Sequence, residues 1–132
     1  MSYFENIEKL TRENNNFRKV ISTNSHLQLV LMSLKPNEDI GLEVHYNLDQ
    51  FFRIEQGKGL TIIGNKEYKI RDGSVVIVPA GTKHNIINTS NNESLKLYSI
   101  YAPPNHPSDR IDINKPLEEH ELNNKHYKLK KF

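Results

Sequence analysis

Glu43, His45, Gln50 and His84 are the residues whose types and spacing could do chemistry in this chain. Glu43 and His45 stand two apart in Leu42-Glu43-Val44-His45-Tyr46, and in an extended chain residues two apart point to the same side. Leu42, Val44 and Tyr46 then face the other way. Gln50 opens the next apolar run, with Phe52 and Ile54 on its side. One surface thus carries a carboxylate, an imidazole and an amide above two apolar side chains. His84 follows the tight turn Pro79-Ala80-Gly81. Two imidazoles and one carboxylate are what a divalent transition metal takes as ligands. On a solvated strand the same residues would be only an exposed edge pair and a histidine after a turn, and spacing alone leaves both readings open.

Other chemistries find no support. The chain has no Cys, which excludes thiolate ligands, disulfides and a cysteine nucleophile. No Ser–His–Asp arrangement, phosphate-cradling Gly loop or pair of catalytic carboxylates is found, so no catalytic acid or base can be named. Phe52 and Ile54 are expected inside the fold, as core or pocket wall. Tyr98 and Tyr101 lie in a run that is apolar on both faces; Tyr98 is taken as a pocket residue beside Phe52 and Ile54. Arg53 and Glu55 have the opposite parity to Gln50 and belong on an outer face. His106, His120 and His126 fall in a polar segment after Pro104 and are expected in solvent.

The elements that must position these residues are short strands. The runs Phe17–Ile21, His26–Leu34, Leu42–Tyr46, Gln50–Gln56, Leu60–Ile63, Lys66–Ile70, Ser74–Val78, His84–Asn88 and Leu95–Tyr101 are separated by turn residues every eight to twelve positions or so. Gly64-Asn65 is a hairpin signal. Without helical crossovers this spacing predicts an all-β sandwich or barrel. Ahead of it, Ser2 and Glu5 have the capping-box spacing, and Phe4, Ile7 and Leu10 would line a short helix ended by Asn14-Asn15-Asn16. The expected divisions are a helical segment over 1–16, a β domain over 17–104 and a polar arm over 105–132.

With 132 residues, 36% hydrophobic and 8% aromatic, the chain has room for one small-cored domain. No run is long and apolar enough for a membrane span, and the first residues show no secretory leader, so a cytoplasmic protein is expected. The net charge of +2 comes from the end: Lys125, Lys128, Lys130 and Lys131 lie in the last eight residues, and without them fourteen basic residues face sixteen acidic ones, or −2. A solvated basic tail is not the basic face that nucleic acid requires, so no nucleic-acid partner is expected.

Two motifs make the sequence similar to a cupin. The second cupin motif is complete at the family spacing in Gly73, Pro79, Gly81, His84 and Asn88. The first keeps its spacing with altered chemistry: Asn37, Glu43, His45, Gln50 and Gly57 stand where that family carries Gly, His, His, Glu and Gly. Asn for Gly is mild at a turn, since Asn tolerates the left-handed region. More narrowly, the first motif resembles small microbial cupins of the mannose-6-phosphate isomerase-like type. The resemblance implies a jelly-roll barrel with one divalent ion (Zn, Fe, Mn or Ni) on Glu43, His45, Gln50 and His84. It also implies a small-molecule ligand and a homodimer paired through its sheets. Exchanging His for Glu and Glu for Gln keeps one negative charge among the ligands. Isomerase-like or dioxygenase-like chemistry would follow, or non-catalytic capture of a sugar or metabolite.

Overall fold

The computed structural model describes residues 1–117. Helix α1 (Ile7–Glu13) begins later than the Ser2/Glu5 spacing predicts. Asn6 caps it, accepting from the Lys9 N–H at 2.9 Å, and Asn serves there as well as Ser. Phe4 therefore lies outside the helix and is exposed. Nine strands follow: β1 (Arg18–Thr23), β2 (Gln28–Leu34), β3 (Asp49–Gln56), β4 (Lys58–Ile63), β5 (Lys66–Arg71), β6 (Val75–Val78), β7 (His84–Asn88), β8 (Leu95–Ala102) and β9 (Ile111–Asp112).

They form two antiparallel sheets, one ordered β6-β3-β8-β2-β1-β9 and the other β5-β4-β7, which enclose a jelly-roll barrel with α1 outside. Alternation sorts the strands. On β3, Gln50, Phe52 and Ile54 are buried while Phe51 and Arg53 are partly exposed. Opposite them on β8 stand Tyr101, Ser99 and Leu97, all buried. Phe52, Ile54 and Leu97 meet Ile70 and Ile86 of the smaller sheet in one core with Val30, Met32, Leu34 and Leu95. α1 lies against β8, β3 and β2.

Two expectations need correction. The run Leu42–Tyr46 is not a strand but a strap joined to β7 by single bridges, Asp39 with Ile87 and Glu43 with His84. Its hydrogen bonds explain why. Ile40 N–H donates to Ile86 O at 3.0 Å, and Glu43 and His84 exchange both backbone bonds at 3.0 and 2.9 Å. Three steps along the strap thus match two along β7, a bulge made at Gly41, whose φ is 104°. Likewise, the segment after Pro104 is tied to the barrel as far as it is described. β9 pairs with β1, and the buried Gln28 side chain accepts from Asn105 and His106 N–H and donates to His106 O. His120, His126 and the basic tail lie outside the described residues.

Candidate metal centre

Three segments bring the four predicted ligands together. The strap supplies Glu43 and His45, the start of β3 supplies Gln50, and the start of β7 supplies His84. The Pro79–Gly81 turn is fastened on both sides: Gly81 N–H donates to His45 O at 2.7 Å, and Ala80 N–H to Asp49 Oδ1 at 2.9 Å. The motif positions behave as their chemistry requires. Asn37 has φ 64°, the left-handed conformation that Asn tolerates in place of Gly. At Gly57, with φ 109°, a Cβ would stand 2.9 Å from Ser94 O, so only Gly fits.

One ligand atom from each of Glu43, His45 and His84 lies within 4.8 Å of the others. His45 Nε2 is 3.0 Å from Glu43 Oε2, and His84 Nε2 is 3.2 Å from Gln50 Oε1. The second contact decides what the group can hold. His84 Nδ1 faces Thr82 O at 3.0 Å; a carbonyl can only accept, so the ring proton sits on Nδ1. A neutral His84 then turns its Nε2 lone pair toward an amide oxygen. Gln50 Nε2 donates to Ser99 Oγ at 2.9 Å, which leaves Oε1 on the His84 side. Two acceptors aimed at each other suit a cation between them. Two donors about 2.1 Å from one ion and at right angles to it stand about 3.0 Å apart, close to both spacings. Two imidazoles, a carboxylate and an amide oxygen fit Zn, Fe, Mn or Ni.

Burial pushes the Glu43 carboxyl up, but the hydrogen bond from His45, the charges of His45 and Arg18, and that of His84 whenever its ring is protonated outweigh it and hold its pKa below the ordinary value. Arg18 is buried on β1 with its Nη1 2.6 Å from Asp112 Oδ2, and Arg110 Nε meets the same oxygen at 3.0 Å. None of these three is singled out by the sequence, because β9 joins β1 across ninety residues of chain.

The apolar expectations divide. Phe52 and Ile54 are fully buried, with the Phe52 ring 6.0 Å from the His84 ring. The narrow gap beside the ligands is instead lined by Leu48, Val78 and Pro79 with His45, Gln50 and His84. Tyr98 faces outward: it is paired with Arg53 and its ring lies 6.1 Å from Phe51. The inward tyrosine is Tyr101, whose ring stands edge-on to His45 at 6.0 Å. His106 is not in solvent either. It packs edge-on to Tyr101 and lies within 3.2 Å of its hydroxyl. Arg53 and Glu55 do pair, at 3.2 Å, but Glu55 is buried and only Arg53 is partly exposed.

A jelly-roll barrel with a His/Glu group at one point inside defines a β-barrel protein with a candidate metal site. The cupin domain profile matches residues 30–101, and the chain belongs to the cupin family. It is 55% identical over 116 residues to uncharacterized protein YrkC of Bacillus subtilis, covering 83% of this chain and 62% of YrkC, so it spans less than two thirds of that relative. To uncharacterized protein L612 of Acanthamoeba polyphaga mimivirus it is 44% identical, covering 97% of this chain and 86% of that one. The crystal structure of BH2720 from Bacillus halodurans superposes with a TM-score of 0.86 at 42% identity, covering 92% of this chain and 95% of that one. Among the described residues no helix is long and apolar enough to cross a membrane.

Proposed function

We propose that the protein is a metal-dependent cupin acting on a small polar organic molecule, with one divalent ion on Glu43, His45, Gln50 and His84. The observation that supports this most is the convergence of ligand atoms from Glu43, His45 and His84 within 4.8 Å of one another, with Gln50 Oε1 3.2 Å from His84 Nε2. A bound ion would supply Lewis acidity toward a carbonyl or hydroxyl, favouring isomerase-like chemistry, or, as iron, dioxygenase-like chemistry. The chain supplies the rest. Glu43 is kept ionised, Ser99 accepts from the Gln50 amide, and Leu48, Val78 and Pro79 line the site with apolar surface. A mannose-6-phosphate isomerase-like activity is the narrower form of this reading.

Non-catalytic capture of a sugar or metabolite is the second reading, favoured because no catalytic acid or base can be named in the sequence. Metal content of protein purified without chelators tests the shared premise: about one ion per chain is expected, lost in His45→Ala and His84→Ala. No metal, or metal indifferent to both substitutions, would sink both readings. Oxygen uptake by the iron form over diols and enols, and phosphosugar interconversion by the zinc and manganese forms, then separate the chemistries. Ligand binding without turnover in any of them selects the second reading.

A further inference from the structure

Away from the metal centre, the outer face of the smaller sheet carries a cavity of about 620 Å³. Its lining includes Lys58, Lys69 and Arg71, with Leu60, Ser74 and Thr89 beside them and Gly59 and Ile70 at its base. Strand register puts the three cations together. Lys58 stands directly opposite Arg71 and Leu60 directly opposite Lys69. Cross-strand partners share a face, and so do residues two apart, so Lys58, Leu60, Lys69 and Arg71 all share one. That face looks out, since the intervening Gly59, Thr61 and Ile70 are buried.

Like charges directly opposite on neighbouring strands are destabilising. Here they are not neutralised from within: among the described residues no carboxylate comes within 4 Å of Lys58, Lys69 or Arg71. Glu67 shares their face one pair further along, opposite Ile62, and Asp72 is engaged with Gly57 N–H and Arg12. The cavity has the volume of a small-molecule site. Its polar groups all suit an acceptor: two ammonium groups, a guanidinium and two hydroxyls.

We propose that this cavity is a second binding site, separate from the metal centre, for a metabolite-sized anion carrying two or more phosphate or carboxylate charges. Such a ligand would bridge Lys58 and Arg71 across the strands and relieve their repulsion, with Lys69 closing the far side. The site lies on the sheet face opposite to the core and does not depend on a bound metal.

Thermal unfolding of the full chain, stripped of metal with EDTA, tests this with two probes, pyrophosphate and citrate, against NaCl at matched ionic strength. At about ten times its Kd, a bound probe should raise Tm by about 3 °C or more. A shift with pyrophosphate alone assigns the site to phosphates, one with citrate alone to carboxylates, and one with both to their shared charge. Lys58→Gln, Lys69→Gln and Arg71→Gln combined should abolish the shift, and the Tm without probe should not fall, because these exposed cations repel one another. No shift beyond that of NaCl, an equal shift in the triple variant, or a triple variant less stable than the parent without probe would each overturn the proposal.

Discussion

At the scale of single residues, the centre depends on side chains that touch no ion. Ser99 is fully buried opposite Phe52, and its hydroxyl anchors the Gln50 amide by accepting from Nε2. Ser99→Ala frees the amide to turn, and loss of such an orienting partner lowers metal affinity about 10- to 100-fold. Competition with a chromophoric chelator measures this, with the unfolding midpoint little changed. His106 offers a pH test. Its pKa is pushed down to about 4, first by burial, then by the charges of Arg18 and Arg110, with Glu43 opposing and His45 adding to them. The unfolded chain takes up this proton near pH 6.5 and the folded chain only near 4, so stability falls as pH drops through that window and levels off below it. The loss attributable to His106 is up to about 3 kcal/mol, less what solvent at the partly open loop screens. Urea midpoints between pH 4 and 7 should show the slope in the parent and a shallower one in His106→Gln.

Elements carry the next level of precision. Gln28 at the start of β2 holds the Asn105–His106 backbone with both ends of its amide, and its Nε2 also reaches Thr23 Oγ1 at 3.0 Å. Gln28→Leu would strand two backbone N–H groups, and each buried unsatisfied group costs about 1–3 kcal/mol. Denaturant unfolding should report that loss. Metal affinity should change far less than in Ser99→Ala, because the four ligands come from other elements. The strap shows the reverse dependence. Its bulge at Gly41 sets the path into Glu43 and His45, and periodicity cannot foresee a bulge, since one extra residue leaves the apolar pattern nearly intact.

The whole molecule presents a further surface. On the outer face of the larger sheet, Ile77 pairs with Phe51, Phe51 with Ile100 and Ile100 with Leu29, a continuous apolar row reaching the unpaired edge of β6. Val75 and Ile77 are 55% and 62% exposed. An open edge beside an apolar face invites pairing, and the homodimer expected from the sequence fits a second copy there. Light scattering at micromolar concentration should give twice the chain mass for the parent and the single mass for Ile77→Lys. A monomeric parent would remove the idea.

The sequence by itself determined the strand count to within the strap and β9 and the inward parity of Gln50, Phe52 and Ile54, through period-two alternation and turn spacing, which are local properties of the chain. Its resemblance to cupins, not spacing alone, singled out Glu43, His45, Gln50 and His84. Tertiary structure alone decided that Tyr101 rather than Tyr98 faces inward, because Leu95–Tyr101 is apolar on both sides and only pairing with β3 gives it a direction. It alone decided that His106, Arg18 and Asp112 gather near the ligands, since Gln28 and β9 bring together residues some eighty to ninety positions apart. Contacts of that range are set by which strands lie side by side, and no local pattern records it.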